Sequence, residues 1–173
     1  DGQHNIVQSS ATVRAPLMAV VAYMMCAEQD ANKIRDKEWG TLVNKILEQK
    51  SDHALVLHWG LMFPRPLSHR DVVMRCICQT RDGGDVIVSM ASTEHPAATS
   101  MDNTVRGSMR RLFRFAQVTP TVTRCTAFTT FNLAGSIPRF VSDTLTTPSA
   151  AAAPLNVLGY FIQVKETAEL DAD

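Results

Sequence analysis

Long apolar runs are missing: no stretch of the chain approaches the roughly 18 consecutive apolar residues of a membrane-spanning helix, so the sequence as given has no such span. Cysteine is scarce. Cys26, Cys76, Cys78 and Cys125 are scattered rather than spaced as a disulfide framework, and no secretory leader precedes them, which points to a reducing, cytoplasmic setting. Cys76 and Cys78 share one strand face, but no His or Cys pair at zinc-ligand spacing completes a site, so neither metal nor cofactor is expected. Charge of one sign is not in excess either, because 17 Lys+Arg balance 17 Asp+Glu. A neutral chain has no field with which to gather nucleic acid, and none is expected as a partner. Catalytic signatures are lacking as well: there is no Gly-x-Ser-x-Gly elbow, Gly-rich phosphate loop, His-Glu-x-x-His or paired carboxylates on one element. The reading is therefore not an enzyme.

What is present fits a globular domain. A chain of 173 residues that is 45% hydrophobic and 20% charged is long enough to bury a core, and it reads as a single domain and a monomer. It opens on Asp1 rather than Met, which reads as a piece of a larger, multidomain polypeptide. Its cations are mostly Arg, twelve against five Lys, and guanidinium suits fixed planar partners such as phosphate or carboxylate.

Along the chain, residues 6–13 have strand-like content, and the apolar run 17–27 behind Pro16 predicts a buried helix. The charged stretch 30–38 predicts a short helix anchored by Trp39. From Leu42 the pattern turns to strands, over 42–49, 54–62, 71–80, 85–92, 105–119 and 123–133. Gly83-Gly84 supplies a hairpin turn, and short turns throughout predict an antiparallel meander with one face free to line something. A final apolar helix is expected over 137–163, capped by Ser136, with Pro138 in its first turn and with Pro148 and Pro154 breaking it in two.

Particular words in this order resemble a known family. Leu57-His-Trp-Gly-Leu-Met-Phe-Pro-Arg-Pro-Leu-Ser-His-Arg-Asp71 is similar to the strand, proline loop and Arg-Asp strand start of START domains, nearest the phosphatidylcholine-transfer branch. Ser92-Thr-Glu-His-Pro96 with Val105-Arg106, and Asn132-Leu-Ala-Gly-Ser-Ile-Pro138, resemble two further START segments in the family's order. Asn132 stands where the family usually has Asp, and Cys76 where that branch has Arg, while Arg75 lies one residue early and so on the opposite strand face. The family's N-terminal helix and first two strands find no counterpart in the sequence. The resemblance implies an α+β helix-grip fold, in which a curved antiparallel sheet grips a C-terminal helix around a hydrophobic cavity. It implies binding of one lipid, phospholipid or sterol, for intracellular transfer or sensing, with transient peripheral contact at a membrane surface. The alternative is a cyclase- or hydrolase-like activity on a hydrophobic substrate, as in the wider helix-grip superfamily.

A cavity of that kind must replace the hydrocarbon surroundings of acyl chains, at roughly 0.8 kcal/mol per CH₂. Alternation places Val72, Met74, Cys76, Val86, Val88 and Met90 on one face of neighbouring strands, and Met109, Phe113 and Phe115 on one face of a later strand. Phe140, Val141, Leu145, Leu158 and Phe161 are the lid candidates on the closing helix. Any of these also serves as plain core. Arg111 shares the face of Phe113 and needs an anion, either a lipid phosphate or a carboxylate such as Glu94 or Asp143. Arg106, Arg110 and Arg114 alternate onto the other face, as a solvated stripe or a contact with anionic membrane. His58 is the candidate to hydrogen-bond a headgroup, or the acid–base group of a cyclase. Arg70 and Asp71 are expected to hold their loop by ion pairing. Gating is expected from the closing helix and the loop 63–69, with Pro148 and Pro154 as hinge.

Overall fold

A computed structural model of the chain describes residues 6–25, 41–63, 65–135 and 151–170, with backbone alone at 41 and 163–170. Strand β1 (Val7–Val13) leads through Pro16 into helix α1 (Leu17–Met25). The Pro16 carbonyl accepts from the Ala19 and Val20 amides at 3.1 and 3.2 Å, so the proline opens the first turn, where its missing N–H costs nothing. Strands β2 (Thr41–Ser51), β3 (Ala54–Leu61), β4 (His69–Thr80), β5 (Val86–Ser92), β6 (Thr104–Arg106), β7 (Ser108–Thr119) and β8 (Val122–Asn132) follow, and helix α2 (Ala153–Leu170) ends the description. The expected helix over the charged stretch 30–38 lies outside the described residues.

The sheet runs β1-β8-β7-β5-β4-β3-β2, with β6 set beside β4. Every neighbouring pair on that path is antiparallel, as the short turns require; only the three-residue β6 runs parallel to its partner. Gly83 and Gly84 take φ of 95° and 88° in the β4–β5 turn, a conformation that only glycine adopts cheaply. Register shifts in β2 and near the end of β7 bend the sheet, because a bulged strand curves and twists more than its partner.

Two expectations need correction. The strand predicted over 105–119 is two strands, β6 and β7, divided at Gly107. There the chain passes so close to the neighbouring backbone that a Cβ would sit 2.9 Å from the Asn132 carbonyl, while the Gly107 amide donates to the Asp71 carbonyl at 2.8 Å. Pro154 does not break the closing helix; it lies in the first turn of α2, fully buried, where a helix tolerates proline. Ser136, Pro138 and Pro148 lie outside the described residues.

Both helices pack on one face of the sheet, α1 over β7 and β8 and α2 over β1 and β8. Tyr23 of α1 stacks on Tyr160 of α2, with ring centroids 4.1 Å apart. Beneath them the inner residues of every second position form one continuous core. The opposite face carries a cover of another kind over β3 and β4. The crossover 93–107 lies along it, held where the Thr93 amide meets the Val73 carbonyl and the His69 amide meets the Asn103 carbonyl.

Candidate functional site

Strand register assembles the inner face row by row, at about 4.8 Å per strand. One row runs from β1 to β3 as Val7, Thr129, Arg111, Met90, Cys76 and Leu55. The next row runs Ser9, Ala127, Phe113, Val88 and Cys78, and a third pairs Phe115 with Val86. Val72 faces Trp59 and Met74 faces Leu57 toward the other end. Thus Val72, Met74, Cys76, Val88, Met90, Phe113 and Phe115 lie on a single face, all buried in the core. Leu158 and Phe161 of α2 pack half-buried against them, whereas Phe140, Val141 and Leu145 lie outside the described residues.

Arg111 sits in this apolar floor, half-buried. Its Nε donates to the hydroxyl of the buried Thr129 at 2.9 Å, and its guanidinium lies 5.8 Å from the ring centroids of both Phe113 and Phe131. Two aromatic faces and a hydroxyl hold the cation in place while lowering its desolvation cost. Nearby, Ser9 Oγ and Asn156 Oδ1, on β1 and α2, are buried without a hydrogen-bond partner among the described residues. Buried polar atoms of this sort mark places where water or a ligand group belongs. The Cys76 thiol, by contrast, is pushed up to about 12 by burial and behaves as an apolar side chain.

The end of the inner face is closed by the loop 62–68. Phe63 is buried in it, its amide donating to His69 Nδ1 at 3.0 Å. Arg70 holds the loop from beneath, donating to the Ser68 carbonyl at 2.6 Å and to the Leu133 carbonyl at 2.7 Å, with its guanidinium over the Phe63 ring. It works through carbonyls and a ring rather than through the expected ion pair. Trp59, Leu61, Val72 and Leu133 line an apolar pocket behind it of about 20 Å³, room for a water molecule or so. Ligand sites for small molecules run to several hundred Å³.

His58 does not join the inner face, and the expectation that it points at a headgroup is corrected. It pairs with Val73 in register, on the outer side of β3, where its Nε2 lies 2.6 Å from Asp71 Oδ2. Arg106 clamps the same carboxylate, Nε to Oδ1 and a terminal nitrogen to Oδ2, both at 2.9 Å. Asp71 is only 2% exposed; burial raises its pKa, but hydrogen bonds and charge from Arg106 and His58 outweigh that and hold it below the ordinary carboxylate value. Asp71 is thus ion-paired, but with Arg106, fastening the crossover 93–107 to β4 rather than its own loop as expected. Arg106 keeps the exposure that alternation assigns it, but its guanidinium is turned onto Asp71. Sequence reasoning missed Thr129 and Phe131, whose odd-numbered positions on β8 place them on the face of Arg111.

A curved antiparallel sheet with a C-terminal helix across one face, and a greasy floor between, defines the helix-grip class of α+β proteins. The START domain family model matches residues 5–148, and the chain belongs to that family. Human STARD10 superposes with a TM-score of 0.77 at 17% identity, over 95% of this chain and 66% of that one. The chain thus spans just under two thirds of that structure. Human StAR-related lipid transfer protein 5 gives 0.76 at 20% identity over 93% of this chain and 77% of its own, and the Zhui aromatase/cyclase from Streptomyces sp. R1128 gives 0.62 at 14% over 93% and 95%. No curated protein sequence matches the chain. No described helix is long and apolar enough to cross a membrane.

Proposed function

We propose that this chain binds one lipid molecule between the inner face of the sheet and α2, with Arg111 meeting a phosphate or carboxylate of the headgroup. The observation that carries the reading is a fixed guanidinium inside a largely apolar floor, held by Thr129 and flanked by Phe113 and Phe131. Val72, Met74, Cys76, Val88, Met90, Phe113 and Phe115 form the surface against which acyl chains lie, and Leu158 and Phe161 are the lid. Flexible methionine in that floor suits chains of variable length. The orphaned Ser9 and Asn156 oxygens are further polar contacts at the edge of α2. A lipid-transfer protein, human StAR-related lipid transfer protein 5, has the same fold, which supports the reading without fixing the ligand. The binding would serve intracellular transfer or sensing, with brief contact at a membrane while the loop 62–68 or α2 swings aside.

Cyclase-like turnover needs an acid–base group in the cavity. His58, the candidate for that role, is turned to the outer face and engaged by Asp71, so binding without turnover is the better reading. Native mass spectrometry of protein purified from cells, with lipid extraction, tests the proposal. The expected result is a bound acidic or phosphate-bearing lipid, reduced at least about tenfold in occupancy in Arg111→Met. A sterol bound equally by both proteins would sink the headgroup assignment, and an empty protein that takes no lipid from vesicles would sink the whole reading.

A further inference from the structure

The outer face of β5, β7, β8 and β1 is uncovered by any described element, unlike the part over β3 and β4. Its centre is a cross-strand pair, Leu112 opposite Phe128, exposed by 38% and 36%. On one side of that pair lies a row in which Arg75 and Arg110 flank the small Ala91, placing them about 10 Å apart across two strand spacings. On the other side Arg114 lies opposite Thr126, and Arg124 is its diagonal neighbour on β8, about 7–8 Å away. Other described outward positions include Ile77, Gln79, Ile87 and Ser89 on the β4 side and Gln8, Ser10 and Thr12 on β1, with Ser108, Ala116, Thr126, Thr130 and Asn132 between. Among the described residues the uncovered strand positions of this face carry four arginines, no lysine and no carboxylate, Asp71 being buried on the covered part of β4. Asp85, in the β4–β5 turn at its margin, takes Arg114 at 2.6 Å. A chain of zero net charge therefore concentrates cations on one side.

We propose that this face is a docking surface for an acidic protein segment, one that presents carboxylates around a central apolar side chain. The composition argues for protein. Arginine and aromatic residues are enriched in protein interfaces while lysine is depleted, and guanidinium pairs with carboxylate in a fixed two-pronged geometry. A second copy docking through the same face would set arginine against arginine. A bilayer fits poorly, because Leu112 and Phe128 are only 38% and 36% exposed and offer little apolar surface for insertion among acyl chains. Nucleic acid fits poorly too, since a neutral chain lacks the long-range field that phosphate binders use.

The test titrates a short peptide of glutamates flanking a central Leu-Phe pair into isotope-labelled protein near physiological salt, and maps the amide shifts. The expected result is a footprint on β5, β7 and β8, absent with the peptide in which lysines replace the glutamates. Arg110→Glu with Arg124→Glu is expected to weaken binding at least about tenfold, and Leu112→Ser about fivefold. These side chains are exposed, so unchanged dispersion of the remaining resonances certifies the fold of each variant. Shifts centred on α2, or variants that bind like the parent, would overturn the proposal. So would a silent peptide alongside the same footprint from phosphatidylserine-containing vesicles or from a single-stranded oligonucleotide.

Discussion

The two faces of this sheet are cut from the same strands yet solve different problems. Inside, alternate residues of β4, β5 and β7 are mostly apolar, β8 adds the buried hydroxyls of Thr123 and Thr129, and the single cation in the central row meets a hydroxyl and two rings. Outside, over β3 and β4, a buried charge sits beside the apolar Val56 and Val73: Asp71 is as buried as Met74, and it is satisfied by His58 and Arg106. Further along, over β7 and β8, no described element covers the outer face. The lesson is that burial does not imply a ligand surface. The inner floor is largely apolar and undirectional, whereas the outer cluster is directional and holds one segment of chain in one place.

The sharpest way to break this contrast is to cut into the floor. Phe113 is 1% exposed, and Phe113→Ala is expected to cost about 3–5 kcal/mol in denaturant unfolding. A loss below about 1 kcal/mol would mean that the floor is not close-packed there and that the ring faces open space. Next comes Asp71→Asn, which strips the charge that His58 and Arg106 share; removing one member of a buried pair costs about 3 kcal/mol or more. The same variant has a pH signature. Asp71 has a folded-state pKa below its unfolded value, so its stabilisation is complete above about pH 4 and disappears as pH falls through the folded value. Unfolding midpoints of wild type and Asp71→Asn should therefore converge below about pH 4; a gap that stays constant through that range rules the cluster out as the source.

Gly107→Ala probes the seam between the two regions, where β6 becomes β7. The new methyl would meet the Asn132 carbonyl at 2.9 Å, and backbone cannot step aside as a side chain can. A loss of about 1–3 kcal/mol is expected, with faster hydrogen exchange at the Gly107 amide as its bond to Asp71 loosens.

Much of the inner face was legible in the sequence because period-two alternation is strict there: β5 and β7 switch from buried to less buried at nearly every step. The helix-grip class was legible too, from the Trp59 to Asp71 words and the Gly-Ser-Ile-Pro segment taken together. His58 was misread for a physical reason. Strand β3 is buried on both sides over Leu55–His58, so alternation carries no information about which parity faces inward. The partner of Asp71 was hidden because Arg106 lies 35 positions away, brought in by a parallel pairing of three residues that no periodicity announces. Pro154 was read as a breaker because the sequence alone does not say that the helix begins one residue before it.

The smallest effect belongs to the open side of the sheet. Arg114 and Asp85 approach within 2.6 Å, the same distance as His58 and Asp71, so distance alone would rank the two contacts equal. Exposure separates them: the Arg114 side chain is 59% exposed and Asp71 only 2%. Water screens the outer pair and its two side chains give up conformational freedom to form it. Arg114→Gln should thus change unfolding stability by no more than about 0.5 kcal/mol, and raising the salt should shrink even that. A loss comparable to that of Asp71→Asn would mean that this arginine is buried in solution, covered by chain or by a partner, and the open half of the outer face would have to be redrawn as closed.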